Sequence, residues 1–211
     1  MNDMQSTHRR RLSRQDQSSC VRRPTGDTAR IRRAPAIRAG LHVVLAGRDD
    51  WVPLRRMLEL YQHDLSDVWD QDLNDVGEYG YELVEYLDQR SRKAFVVSVD
   101  GYYAGFALVD KSVLFREDDW WMAQFFVLRK YRGQGVGRAA ACTVLDTFRG
   151  RWEIGQMSMN RPAQCCWRSV VALYSAGRYG EHWYPGPGWS GLLQRFDNSQ
   201  QVRATRHSRR N

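Results

Sequence analysis

The run from Phe125 to Arg138, Phe-Phe-Val-Leu-Arg-Lys-Tyr-Arg-Gly-Gln-Gly-Val-Gly-Arg, limits the possible folds more than any other stretch of the chain. It closes an aromatic and β-branched segment, 120–128, of the kind that suits a pleated, buried strand. After it, Val136, Ala140, Val144 and Phe148 recur every fourth residue, which is one face of a helix, and Gly150 supplies the stop. Between strand and helix stand Gly133, Gly135 and Gly137, flanked by Arg132 and Arg138. Glycine lets an anion approach backbone N–H groups, and the unpaired N–H groups of a new helix favour negative charge. The turn therefore reads as a cradle for phosphate or pyrophosphate, against the plainer alternative of a tight turn that merely needs glycine.

The formal net charge of +8 over 211 residues suggests nucleic acid until it is located. Residues 1–39 carry +7 and residues 198–211 carry +4, which leaves −3 on residues 40–197. Both ends are expected to be disordered basic tails, and 40–197 one folded domain. Any nucleic-acid contact would then belong to the tails alone. No apolar run approaches the roughly 20 residues that span a bilayer. Cys20, Cys142, Cys165 and Cys166 form no secretory or zinc pattern, so reduced thiols and a cytoplasmic setting are expected.

Along the domain, 41–45 reads as a strand. A helix follows from Asp49 or Asp50, with Leu54, Met57, Leu58, Tyr61 and Leu65 on its apolar face. Residues 64–88 hold nine acids and no Lys or Arg, with Trp69, Tyr79, Tyr81 and Tyr86 interleaved. They are either a solvated face or a negative mouth for a cationic amine, with Asp72, Asp75, Glu78, Tyr79 and Tyr81 as its candidate contacts. Residues 93–99 and 102–109, joined by Asp100-Gly101, form a hairpin. After the strand at 120–128 and the helix at 136–149 come a strand at 152–159, a helix from Asn160 to about Ser175, and strands at 178–184 and 190–196.

Three phosphate motifs compete for the glycine turn. The P-loop string G-x-x-x-x-G-K-[ST] does not occur. A dinucleotide turn should follow its strand almost directly, yet six residues, Arg129 to Gln134, intervene. Arg132-Gly133-Gln134-Gly135-Val136-Gly137 matches Q/R-x-x-G-x-G/A, and with its Val127-led approach it resembles the acyl-CoA signature of the GNAT superfamily of N-acetyltransferases. The resemblance covers about 41–197 and implies an α+β fold, a mixed and mostly antiparallel central sheet with helices on both faces. It implies acetyl-CoA as co-substrate, a small-molecule or peptide amine as acceptor, and a monomer or homodimer.

The resemblance also distributes roles. Phe126, Val127 and Leu128 would bind pantetheine through main-chain groups. The amides of Arg132, Gly133, Gln134, Gly135, Val136, Gly137 and Arg138 would hold the pyrophosphate. A second family pattern, Asn-x-x-Ala-x-x-Phe-Tyr, is matched at Asn160 and Ala163, which puts Asn160 and Trp167 on the cofactor side. Cys166 and Trp167 replace the Phe and the proton-donating Tyr, and an indole N–H is not an acid near neutral pH. Tyr174, seven residues on, is the candidate substitute. The family's glutamate base is absent too, since the comparable inward positions hold Met122 and Gln124. Asp118, Asp119, Glu78, Glu82, Glu153, His63 and His182 remain as candidate bases. The alternative class is a non-catalytic CoA sensor or a nucleic-acid-interacting module that uses the arginine-rich tails.

Overall fold

The computed structural model describes residues 40–87, 91–186 and 189–200. The expectations for residues 1–39, the tail beyond 200 and Asp88 lie outside them. The elements run β1 (Leu41–Leu45), α1 (Trp51–Leu65), α2 (Val84–Leu87), β2 (Lys93–Val99), β3 (Tyr102–Asp110) and β4 (Trp120–Val127). Then follow α3 (Val136–Thr147), β5 (Arg151–Met157), α4 (Arg161–Tyr174), β6 (Gly180–Tyr184) and β7 (Gly191–Asp197). The seven strands form one sheet in the order β1-β2-β3-β4-β5-β7-β6, antiparallel except where β4 meets β5. This is the expected α+β architecture.

Local chemistry explains the hairpin. Asp100 and Gly101 both take positive φ, 53° and 82°, the left-handed pair that a two-residue turn between twisted strands requires. The strand period of two then sorts the core into layers. Ala94, Phe106 and Leu108 pack with Leu54, Met57 and Leu58 of α1 on one face of the sheet. Phe95, Ala107 and Val109 pack with Leu145 of α3 and Val170 of α4 on the other.

Two expectations are corrected. The charge pattern gives Asn198 to the tail, but its side chain is fully buried. Its amide donates to the Leu145 and Phe148 carbonyls at 2.8 and 3.0 Å, and its Oδ1 accepts from Gly150 N at 2.9 Å. An amide side chain thus closes the C-terminal end of α3, which a count of charges does not register. Cys142 and Cys166 carry free thiols, but Cys165 is disulfide-bonded, against the expectation of reduced cysteines throughout.

Candidate active site

The glycine turn is built for close approach. Gly133 and Gly135 hold φ of +71° and +81°, and a Cβ on either would meet no atom within 4 Å. Gly135 is the N-cap of α3, so the N–H groups of its first turn lack intrahelical carbonyls. The Arg132 Nε donates to the Val127 carbonyl at 2.7 Å, and its guanidinium also bonds Asp64, which Arg129 reaches at 2.7 Å. Burial pushes the Asp64 carboxyl up, but the bonds and charges of Arg132 and Arg129 outweigh it and hold it below the usual range. Arg138 joins these groups on the wall of a cavity of about 620 Å³. Open space, free N–H groups and clustered guanidinium groups fit the phosphates of acetyl-CoA.

The sheet supplies the second half of the site. β4 pairs with β5 only at Trp120↔Trp152 and Trp121↔Glu153, after which the strands diverge. A second cavity, of about 530 Å³, opens on the other side of this gap. Tyr61, Leu65, Phe125, Asn160, Ala163 and Trp167 line both cavities, so the two meet there.

Several predicted residues converge on this junction. Gln124 accepts from the Tyr61 hydroxyl and donates to the Tyr81 hydroxyl at 3.4 Å. Trp167 is buried, its indole edge-on to Phe125 at 5.2 Å. Asn160 caps α4, its Oδ1 accepting from Ala163 N at 3.1 Å. Phe126 packs its ring into the core against α1, and its backbone pairs with Phe106 of β3. Gln134 donates to the Lys130 carbonyl at 2.6 Å and so braces the turn. Tyr79, Tyr81 and Glu82 line the second cavity.

Other candidates are not brought to the site. Tyr174 lines neither cavity; its hydroxyl donates to Asp146 at 2.8 Å and accepts from Asn198 at 3.2 Å. Seven residues advance a helix by about 10.5 Å, which carries Tyr174 past the junction although it follows Trp167 by two turns. Asp72, Asp75 and Glu78 also line neither cavity. Nor does the acidic stretch lack counter-charge: Glu78 pairs with Arg55 and Arg56, Glu85 with Arg92, and Asp64 with Arg129 and Arg132. His63 lies outside the cavity wall but reaches it through the Tyr79 hydroxyl, 3.2 Å from Nδ1. His182 packs against Phe115 instead.

Glu153, Asp118 and Asp119 have structural work elsewhere. Glu153 is fully buried and accepts from Leu114 N and Phe115 N at 2.8 and 2.7 Å, tying down the segment before β4. Asp118 holds Arg195 at 2.6 Å, and Asp119 accepts from Arg151 N at 2.9 Å. Burial pushes the Glu153 carboxyl up to about 7 from its ordinary 4.5; the two amides oppose this, and the adjacent Asp118 adds to it. Folding therefore favours protonated Glu153, so its contribution is whole below the ordinary value and is lost as pH rises through about 7. Unfolding free energy is expected to fall by about 2–3 kcal/mol between about pH 5 and pH 8 on this account. Denaturant titrations across that range would show it, and a profile that rises with pH would contradict it.

The sequence reading placed Tyr61 on the core face of α1 and not among the residues lining the site. It sits at core spacing on α1, and only the contact with Gln124, 63 residues away, separates it from an ordinary apolar position. A hydroxyl on an otherwise apolar helix face was the available signal.

The model of the "Acetyltransferase (GNAT) family" matches residues 54–170. No curated protein sequence matches the chain. Among solved structures it is similar to an acetyltransferase from Thermus thermophilus, at 16% identity and TM-score 0.55, covering 74% of this chain and 96% of that one. It is also similar to a ribosomal-protein-S5-alanine acetyltransferase from Vibrio fischeri, at 16% identity and TM-score 0.53, covering 77% and 96%. A third is an aminoglycoside acetyltransferase in complex with coenzyme A, at 12% identity and TM-score 0.54, covering 75% and 95%.

Proposed function

The chain belongs to the GNAT acetyltransferase family, and on that footing we propose that it moves an acetyl group from acetyl-CoA to a primary amine. The observation that carries this reading is the junction of two cavities at Tyr61, Phe125 and Trp167. One cavity ends in a phosphate cradle and the other holds no such cradle, so each suits a different reactant. Bound acetyl-CoA supplies the activated acetyl thioester. The turn from Gly133 to Arg138 binds its phosphates, the Arg132 amide being spent on the Arg129 carbonyl at 3.1 Å. The Leu128 amide is spent on Ala104 at 2.8 Å and the Val127 carbonyl on Arg132, which leaves the Val127 N–H, beyond the last β5 partner, for its amide arm. Holding two reactants at a shared wall replaces an encounter in solution with a positioned one.

The chain's own groups divide the remaining work. Gln124, fixed between Tyr61 and Tyr81, orients the reacting centre without titrating. Glu82 is the one carboxylate on the second cavity among the described residues and draws the ammonium form of the acceptor, which gives one proton to water at the cavity mouth before the neutral amine attacks and a second to water as the amide forms. Trp167 forms a wall between the reactants and donates no proton. Tyr61 is the hydroxyl shared by both cavities; burial, then the nearby Tyr81, raises its pKa, so it stays a neutral donor. We assign it, on exchanging its bond to Gln124 for one to sulfur, the protonation of the departing thiolate. A thiol with an ordinary pKa of about 8.5 leaves tolerably unaided, so Tyr61→Phe should lower kcat only about tenfold.

Free-thiol release from acetyl-CoA across an amine panel, with the acetylated amine identified by mass, tests the reaction. Tight acetyl-CoA binding with no transfer to any amine would overturn it in favour of a CoA sensor.

A further inference from the structure

The acceptor cavity differs from what the acidic stretch promised. Its wall carries Trp69, Tyr79, Tyr81, Trp121, Trp167 and Trp189, and Glu82 is the single charged side chain among its lining residues. A Cβ on Gly155 would lie 2.5 Å from Trp121 and 2.9 Å from Trp189, so glycine in β5 is what lets two indoles close over the strand. Their rings stand 6.3 Å apart and tilted by 45°.

The polar side chains of the wall are largely spent on one another. Gln62 donates to Gln71 at 3.0 Å, and Gln71 donates to the Tyr79 carbonyl at 3.0 Å. Gln124 is held by two tyrosines, Asn160 caps α4, and Gln156 donates to the Ile154 carbonyl at 3.0 Å. Of these side chains only Gln156 keeps a buried acceptor without a partner, its Oε1, which can meet one ammonium but not a ligand with many hydroxyl or ammonium groups. A second or third ammonium would be desolvated with no carboxylate to meet it, which is unfavourable. A flat apolar body is matched instead, because aromatic walls give it area while one cation finds Glu82 and the ring faces.

We infer that the acceptor is a monoamine with one positive charge on a flat apolar body, an arylalkylamine in chemical class, rather than a polyamine or an aminoglycoside. This rests on the amine-acetylation reading above. It concerns the acceptor side alone and leaves the cofactor cradle unchanged.

The test compares 2-phenylethylamine, spermidine, kanamycin and glutamate with the full chain. It measures kcat/KM by thiol release, and calorimetric binding of each amine to protein preloaded with coenzyme A. 2-Phenylethylamine should exceed spermidine and kanamycin by about tenfold or more in kcat/KM. Trp69→Ala, at a half-exposed turn residue, and Glu82→Gln, at an exposed one, should each weaken 2-phenylethylamine by roughly threefold to tenfold. Neither should change coenzyme A affinity. Efficient acetylation of spermidine or kanamycin would overturn the acceptor class while amine acetylation stands. Binding of 2-phenylethylamine with no transfer to any amine would do the reverse. Equal affinity for all four amines, or indifference to both substitutions, would also overturn the class.

Discussion

Replacing Gly137 by Glu is expected to weaken acetyl-CoA binding by about 2 kcal/mol, roughly thirtyfold, without loss of fold. Gly137 is the second residue of α3 and lines the cradle cavity. Its Cβ would sit 3.5 Å from the Val127 Cγ2, an ordinary contact that demands no rearrangement. A helical glycine costs about 0.5–1 kcal/mol relative to other residues, and a carboxylate in a first turn suits the helix dipole, so the variant should melt no lower than the parent. The same carboxylate stands where phosphate oxygens would gather and repels them. Opposite signs in stability and affinity separate a phosphate cradle from a merely structural turn. Calorimetry beside a thermal melt reads both, and unchanged affinity in the folded variant removes the cradle. Gly135→Asp is the poorer probe, because φ of +81° at Gly135 would add backbone strain to the charge effect.

Trp167→Ala should cost about 3–5 kcal/mol of unfolding free energy, the range for a buried aromatic truncated to a methyl. The indole is 8% exposed, meets Phe125 edge-on, and belongs to the cluster that contains Val170 and Trp152. It also lines both cavities, so its loss merges them and lets water between the reactants. Trp167→Phe is the companion variant: it keeps a ring against Phe125 and should retain most of the stability. If the indole were a proton donor, Trp167→Phe would lose activity out of proportion to stability. If it is a wall, activity should follow packing. Denaturant titration and kcat, measured on both variants, tell the two apart.

Much of the fold was readable because its cues are local. Asp100-Gly101 specifies its turn from two residues, the four-residue recurrence of Val136, Ala140 and Val144 specifies a helix, and Asn160 with Pro162 starts another. The open glycine turn before α3 was readable for the same reason, since its glycines and arginines are contiguous. The acceptor side was not. Arg55 and Arg56 neutralise Glu78 from a helix more than twenty residues away, and Arg129 and Arg132 neutralise Asp64 from beyond β4. A window that counts acids in 64–88 therefore finds an excess that the folded chain has already partly cancelled. Likewise Trp69, Trp121 and Trp189 are scattered in sequence, and only the sheet gathers them into one wall.

The two-rung contact between β4 and β5 also has a mechanical meaning. On one side lie β1 to β4, joined in antiparallel ladders that slip register once between β2 and β3 and once between β3 and β4; on the other lie β5, β7 and β6, paired without a shift. The two halves are nevertheless tied at the base of the groove by more than the two rungs: the Asp119 amide donates to the Arg151 carbonyl at 2.9 Å, Glu153 holds Leu114 and Phe115, Asp118 holds Arg195, and α3 packs on α4 across the back. The groove is therefore open in its ladder but fixed at its base, so its width is set before either reactant arrives.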